Sequence, residues 1–143
     1  MGEPRRFVIQ QHDATRLHWD LRLEQDGVLR SWALPRGVPW NPKENRLAVA
    51  TEDHPLEFLD DEGDGVDPGY GSGRMTNWDT GTFEAHKMED HKVVITLDGD
   101  RVQGKYSLFS MRKSRDWLIH RMDPPVDPGR VPVPIGVPPM QAV

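Results

Sequence analysis

The sequence predicts an all-β fold, a compact β-barrel with little helix, and three observations carry this prediction. Short apolar runs of strand length recur along the chain and are separated by turn signals, as in barrels and sandwiches. Two of these runs precede Asp-Gly pairs, a dipeptide typical of hairpin turns. No window of about 11 or more residues carries apolar side chains at helical spacing. The best short-helix candidate, residues 84–91, has almost no apolar content.

The individual elements follow from the pattern in each segment. Residues 18–23 alternate polar and apolar side chains without a break, which is typical of a half-buried strand. Asp26-Gly27 predicts a tight turn into a partner strand, and Asp98-Gly99 predicts the turn of a second hairpin. Turn formers dominate residues 35–45 and 60–73. The predicted strands are, in chain order, residues 6–12, 18–23, 28–34, 46–54, 93–97, 102–111 and 117–122.

The length of 143 residues suits one domain, and the prolines divide the chain in two. Seven of the 13 prolines lie in residues 124–143, which carry only two charged side chains and show no helical period. We therefore predict a folded barrel domain over residues 1–123. An extended, polyproline-like C-terminal tail or linker follows over residues 124–143.

Composition and charge exclude several classes of protein. The absence of cysteine excludes disulfides, a thiolate nucleophile and cysteine-ligated metal sites. No apolar run approaches the roughly 20 residues of a membrane helix. The N-terminus lacks a signal-peptide pattern, so we expect a cytoplasmic protein with no membrane partner. The net charge of −5 argues against a protein that coats nucleic acid, but residues 52–67 alone hold eight acidic and no basic side chains.

Polar side chains share one face in several of the predicted strands. In residues 18–23 the alternation places His18, Asp20 and Arg22 opposite three apolar side chains. The same alternation groups His12 with Val8 and Gln10 in the first strand. In residues 46–54 it groups charged residues at both ends of the strand with alanines between them. The side chains that three strands can offer to one cavity are His12, His18, Asp20, Arg22, Arg46, Glu52 and His54.

This set of side chains is suited to phosphate chemistry. Two histidines and a carboxylate form a common ligand set for a divalent metal with open positions, and His12, Asp20 and His54 would serve. Guanidinium groups beside such a cation form a cradle for phosphate. From spacing alone, metal-assisted phosphate chemistry and a structural polar interior with satisfied ion pairs both remain open.

Five sequence blocks resemble a known family. They are FVIQQHDATRLHWDLRLE, WALPRGVPWNP, RLAVATEDHPLEF, GYGSG followed by NWDTGTFE, and DWLIHRMDPP, in this order over most of residues 6–125. Together they resemble the 3′-phosphoesterase domain of bacterial DNA ligase D, an enzyme of non-homologous end joining. The Pro-rich tail is similar to the linker that leads into the ligase domain of actinobacterial members.

The resemblance implies a compact β-barrel that binds a divalent metal, typically Mn²⁺, and repairs 3′ ends. It implies removal of a terminal ribonucleoside from a primer-template and hydrolysis of the remaining 3′-phosphate to a 3′-hydroxyl. His12, Asp20 and His54 would be the metal ligands. The catalytic residues would be His18, Arg22, Arg46 and Glu52, with His18 and Arg22 at the reacting phosphate and His18 as proton donor. We expect phosphate and substrate binding to extend to Arg16, Arg36 and Phe58.

Two departures from the family pattern bear on activity. Phe58 stands where the family usually has tyrosine, so one hydrogen-bond donor is missing from the phosphate pocket. Only a few residues precede the first strand, whereas family members carry an N-terminal segment that contributes to removal of the ribonucleotide. We therefore expect the phosphomonoesterase step more than the phosphodiesterase step.

Two functional hypotheses follow. The first is a Mn²⁺-dependent or other divalent-metal-dependent 3′-phosphoesterase that acts on DNA or RNA–DNA 3′ ends at primer-template junctions. The second is a catalytically weakened module that binds nucleic-acid ends or docks onto an ATP-dependent DNA ligase, a repair polymerase or Ku. For both we expect a bacterial, cytoplasmic, nucleoid-associated protein. The local charge distribution permits both, because a protein that reads only a strand end needs a few placed arginines rather than a basic surface.

Overall fold

Antiparallel strands account for most of the chain in the computed structural model. The structure describes residues 5–13, 15–42, 44–59, 63–64, 74–112 and 114–122. The predicted tail at 124–143 and most of the turn-rich segment 60–73 lie outside the described residues. The strands are β1 Arg5–Asp13, β2 Leu17–Gln25, β3 Val28–Leu34, β4 Asn45–His54, β5 Gly63–Asp64, β6 Arg74–Met88, β7 Lys92–Gly99, β8 Gln103–Ser110 and β9 Asp116–Arg121. A 3₁₀ helix, Leu56–Leu59, follows β4.

The sheet closes on itself to form an eight-stranded antiparallel barrel. The strands are hydrogen-bonded in the order β1-β2-β3-β4-β9-β8-β7-β6, and β6 pairs with β1. The two-residue strand β5 adds to β6. The predicted all-β barrel with little helix is therefore confirmed. No helix in the described part of the chain is long and apolar enough to cross a membrane.

The first predicted hairpin forms as the sequence indicates. Asp26 and Gly27 have φ angles of 53° and 85°, so both lie in the left-handed region that a two-residue hairpin turn requires. Gln25 pairs with Val28 across this turn, and β3 begins at the predicted residue.

The turn of the second hairpin lies further along the chain than predicted. β7 continues through Asp98-Gly99, and the chain reverses after Gly99, whose N–H donates to the carbonyl of Val102 at 2.9 Å. Asp79, from the neighbouring strand β6, holds this turn: its carboxylate accepts the N–H groups of Asp100, Arg101 and Val102 at 2.8–3.1 Å. The turn is therefore fixed by a contact from a strand that is distant in sequence, and the turn residues alone could not predict this contact.

The short-helix candidate at residues 84–91 is wrong. Residues up to Met88 belong to β6, where Glu84 pairs with Thr96 and Ala85 with Ile95 of β7. The apolar content is low because residues 84–87 are all exposed to solvent. A register shift between Ala85 and Lys87 also interrupts the two-residue alternation that would have indicated a strand.

The main core fills the barrel interior, and a second apolar cluster lies outside it. The interior takes alternate residues of the strands, for example Trp19, Leu21 and Leu23 of β2. The second cluster lies on the opposite face of β1 and β3, against the 3₁₀ helix. The 3₁₀ helix therefore covers the outer face of these strands, which is the face that carries the predicted polar side chains. The second cluster comprises Val8, Leu29 and Leu59, with Leu56 and Phe58 partly buried against it.

Candidate functional site

The candidate site lies on the outer face of β1–β3, beneath the 3₁₀ helix. The alternation of β2 is as predicted, since Trp19 and Leu21 point into the barrel and Asp20 and Arg22 point away from it. Asp20 and Arg22 are nevertheless 0% exposed. Two adjacent ionisable side chains in a covered position are expensive to bury unless they are paired and hydrogen-bonded. Their burial therefore marks this face as more than a solvated strand surface.

Two histidines and a carboxylate meet at one end of this face. His12 and His18 are direct cross-strand partners, and their ring centroids lie 4.8 Å apart. Asp20 reaches both: its Oδ1 is 3.3 Å from His18 Nε2, and its Oδ2 is 3.7 Å from His12 Nδ1. One ligand atom from each of the three lies within 4.8 Å of the others. This metal-capable triad, His12, His18 and Asp20, has the imidazole and carboxylate donors that borderline divalent cations prefer.

The surroundings of His18 favour its charged form. Burial lowers the pKa of His18, but the hydrogen bond and the negative charge of Asp20, together with the carbonyl of Arg16, outweigh it and raise the pKa above its usual value. The geometry around the ring also favours the charged form of His18. Nδ1 lies 3.1 Å from the carbonyl oxygen of Arg16 while Nε2 faces the Asp20 carboxylate. Both ring nitrogens thus face acceptors, an arrangement that only an imidazolium fully satisfies.

Arg22 occupies the middle of the face and is fixed on several sides. Its Nε donates to Gln10 Oε1 at 2.8 Å and its Nη1 donates to Ser31 Oγ at 3.1 Å. Nη2 lies 3.8 Å from Asp20 Oδ2, and the guanidinium carbon lies 5.2 Å from the centre of the Phe58 ring. A planar guanidinium held in this way is a preorganised fork for a phosphate.

His54 reaches the site through a β-bulge. Leu29 pairs with His54 but Ser31 pairs with Thr51, so β4 holds one residue more than β3 between these points. The extra residue turns His54 to the face of Ser31, and its Nδ1 lies 3.5 Å from Ser31 Oγ. The Phe58 ring packs edge-on against the His54 ring at 4.8 Å. Unbroken alternation had grouped His54 with Arg46 and Glu52, and the bulge separates them.

Arg46 and Glu52 are not brought together with the buried cluster. Arg46 pairs with Ile119, an interior residue, and its guanidinium binds the carbonyls of Arg36 and Val38 and the carboxylate of Glu44. Glu52 is exposed at the bulge. The catalytic roles of Arg46 and Glu52, and the substrate-binding roles of the exposed Arg16 and Arg36, remain predictions. Arg16 lies beside His18 in the β1–β2 turn, and Arg36 lies in the turn after β3. Arg46 lies at the start of β4 and Glu52 lies near its end.

Comparison with known proteins identifies the family. Residues 10–110 match the family model of the DNA ligase D 3′-phosphoesterase domain. The chain belongs to this family. That span includes every member of the metal-capable triad together with Arg22, His54 and Phe58.

Three relatives that this chain matches are much longer than the chain itself. It is 46% identical over 132 residues to the multifunctional non-homologous end joining protein LigD of Mycolicibacterium smegmatis, which covers 85% of this chain and 17% of that protein. For LigD of Mycobacterium tuberculosis H37Rv the identity is 45% over 125 residues, covering 85% and 16%. For LigD of Pseudomonas aeruginosa PAO1 it is 38% over 122 residues, covering 80% and 14%. The chain thus spans about a sixth of the length of these relatives.

The structure adds site residues that the sequence did not single out. Ser31 connects Arg22 to His54, and Gln10 connects Arg22 to Asn77, whose side-chain oxygen accepts from Gln10 Nε2 at 3.0 Å. Gln10 was placed on the correct face but was assigned no role. A polar residue at a fully buried, alternating position is the signal that could have indicated Gln10 and Ser31. No such signal exists for Asn77, because the bulge at Trp78 interrupts the alternation of β6.

Proposed function

We propose that this domain is a divalent-metal-dependent phosphoesterase that hydrolyses a 3′-phosphate on DNA or mixed RNA–DNA ends to a 3′-hydroxyl. One observation supports this most strongly: the metal-capable triad and the buried Arg22 lie side by side on one covered face. Membership of the 3′-phosphoesterase family agrees with that chemistry. The product is a strand end that a polymerase or ligase can use, so the role would be end processing in non-homologous end joining.

The residues present suit a resident metal, with Mn²⁺ as the first choice. His12 and Asp20 would be ligands in any arrangement, because both are buried and their donor atoms converge. The third ligand would be His54, as the family resemblance implies, or His18, whose Nε2 lies 3.3 Å from Asp20 Oδ1. When bound, such a cation polarises a phosphoryl oxygen and lowers the pKa of a bound water.

The other side chains would bind the phosphate and deliver a proton. Arg22 would hold two phosphate oxygens, a preorganised interaction that strengthens as charge develops in the transition state. Water adds to phosphorus as the bond from phosphorus to the 3′ oxygen breaks. His18, if it is not the third ligand, gives its proton to that leaving oxygen. Water supplies the new oxygen of the released phosphate, and the strand keeps its 3′ oxygen as a hydroxyl.

A second candidate function rests on Phe58. Its ring faces both Arg22 and His54 at the position where the family usually has a tyrosine hydroxyl. A site without that donor could retain strand ends without efficient turnover. In that case the domain would act as an end-binding module, or would dock onto a DNA ligase, a repair polymerase or Ku in the bacterial cytoplasm.

The deciding experiment follows an end-labelled primer-template that carries a 3′-phosphate, in the presence of a panel of divalent metals. We expect conversion to a 3′-hydroxyl, best with Mn²⁺, and at least a hundredfold loss in His12→Ala and His54→Ala. His86→Ala is the matched control, since His86 is exposed on β6 and bonds to Thr96 outside the site. Salt-sensitive binding without turnover under any metal would favour the end-binding module instead.

Variants of the two histidines separate the two possible third ligands, His54 and His18. Mn²⁺ binding followed by electron paramagnetic resonance needs no turnover, so ligand loss is measured independently of catalysis. His54→Ala weakens binding if His54 is the third ligand, whereas His18→Ala weakens it if His18 takes that place. Full Mn²⁺ affinity in both His12→Ala and Asp20→Asn would contradict a metal at this position.

A further inference from the structure

A chain of side-chain amides connects β6 to the guanidinium of Arg22. Gln10 Oε1 accepts from Arg22 Nε at 2.8 Å, and Gln10 Nε2 donates to the carbonyl of Phe58 at 2.9 Å and to Asn77 Oδ1 at 3.0 Å. Asn77 Nδ2 in turn lies 3.4 Å from the carbonyl of Leu59. The two amides therefore bridge the buried guanidinium and the last residues of the 3₁₀ helix.

The chemistry of the partners determines the orientation of both amides. A guanidinium can only donate and backbone carbonyls can only accept, so Gln10 must turn its oxygen to Arg22 and its nitrogen to Phe58. The Leu59 carbonyl likewise requires the nitrogen of Asn77, which leaves the Asn77 oxygen for the second hydrogen of Gln10 Nε2. Reversing either amide would set a donor against a donor and an acceptor against an acceptor.

A β-bulge brings Asn77 into this position. Ile9 pairs with Asp79 while the next residue, Gln10, pairs with Asn77, so Trp78 is an extra residue in β6. Asp79 faces the interior side with Ile9, and without the bulge Asn77 would face that side too. The bulge turns Asn77 to the outer face, opposite Gln10. Bulges are known to redirect a side chain in this way beside active sites.

We propose that Asn77 is a positioning residue for the phosphoesterase site, which holds the Arg22 fork through Gln10 and anchors the 3₁₀ helix that carries Phe58. This inference rests on the proposed function for its effect on catalysis, but its structural part does not. Loss of the Asn77 amide removes one of the two acceptors that orient Gln10, and it removes the hydrogen bond to Leu59. Gln10 then holds the Arg22 Nε–H less firmly, while the hydrogen bond from Arg22 to Ser31 and its ion pair with Asp20 remain.

The test uses Asn77→Leu, which approximates the shape of asparagine without its hydrogen bonds, and Asn77→Asp, which keeps the acceptor for Gln10. Thr76→Ala, at an exposed neighbouring position on β6, is the matched control. The first readout is hydrogen exchange at the Arg22 Nε–H measured by NMR, with that resonance assigned by its loss in Arg22→Lys. We expect exchange at least tenfold faster in Asn77→Leu and close to wild type in Asn77→Asp and Thr76→Ala.

The second readout is the rate of 3′-phosphate release. We expect kcat to fall about tenfold in Asn77→Leu, equivalent to about 1.4 kcal/mol, and to recover in large part in Asn77→Asp. Combining Asn77→Leu with Gln10→Ala should add little to the effect of Gln10→Ala, because the two residues act in series.

Unchanged Nε–H exchange in Asn77→Leu would overturn the proposal, as would additive losses in the double variant. Absence of turnover in the wild type would overturn the proposed function instead, and the exchange measurement would still decide the role of Asn77. If Asn77→Leu does not fold, faster exchange in Asn77→Ser supports the role and unchanged exchange overturns it.

Discussion

The two faces of β2 are both buried, yet they are built from opposite kinds of side chain. The inner face carries Trp19, Leu21 and Leu23, which pack in the barrel core. The outer face carries Asp20 and Arg22, and both are fully covered. Burial of the inner face is favourable, because it removes apolar surface from water. Burial of the outer face is unfavourable unless every charge is paired, and for this reason we propose that the face serves function rather than stability.

The largest expected effect is on chemistry, from a change on the outer face that preserves charge. Arg22→Lys keeps a cation beside Asp20 but cannot reproduce the planar fork that bonds Gln10 and Ser31. We expect phosphate release to fall about a hundredfold to a thousandfold, roughly 3–4 kcal/mol of transition-state stabilisation. The free energy of unfolding should change much less. Urea denaturation alongside single-turnover kinetics checks both, and a comparable loss in each would remove the contrast between the two faces.

A change in the barrel core should have the opposite effect: it should lower the stability and leave the rate of phosphate release nearly unchanged. Ile95→Ala on β7 truncates a fully buried interior side chain that lies outside the candidate site. We expect a loss of about 3 kcal/mol in the free energy of unfolding, from lost burial and the cavity that remains. The rate of phosphate release per folded molecule should stay within about twofold of wild type. A much larger loss of rate would mean that core and site are coupled through β1 and β2.

A smaller effect is expected where the two functional hypotheses diverge. Phe58→Tyr adds a hydroxyl to a ring that already lies over Arg22 and against His54. One additional hydrogen bond to the phosphate is worth about 1 kcal/mol, so we expect phosphate release to rise about fivefold. Initial rates at saturating primer-template measure this. A decrease would indicate that the site has adapted to phenylalanine and that the missing hydroxyl does not limit activity.

The smallest expected effect is on the pH dependence of stability in the metal-free protein. The pKa of His18 is raised in the folded state: burial lowers it, but Asp20 and the Arg16 carbonyl outweigh that effect. Such a group stabilises the fold fully below its unfolded pKa of about 6.5, and this contribution is lost as the pH rises through the folded pKa. Urea denaturation of wild type and His18→Gln across this range, with EDTA present, should show a decline only in the wild type. Parallel curves would show that His18 is not held as an imidazolium.

The inner face could be predicted from the sequence far more completely than the outer one. Strict alternation in β2 correctly placed Trp19 and Asp20 on opposite faces, with Trp19 in the core, and Asp26-Gly27 placed the first hairpin turn. A bulge shifts the alternation by one residue and leaves no local trace, so His54 was grouped with Arg46, and Asn77 was overlooked. Contacts between distant segments were equally hidden. The carboxylate of Asp79 fixes the position of the β7–β8 turn, and the 3₁₀ helix covers the outer face of β1 and β3.

The most direct test of the account is phosphate release from a 3′-phosphate-terminated primer-template by the wild-type chain, before and after metal removal. We expect release in the presence of Mn²⁺, its loss on treatment with EDTA, and its recovery when Mn²⁺ is restored, because we propose that His12, Asp20 and a second imidazole hold the cation. Release that continues undiminished in EDTA, or no release with any divalent metal, would contradict the assignment of the outer face of β1–β3 as a metal-dependent phosphoesterase site.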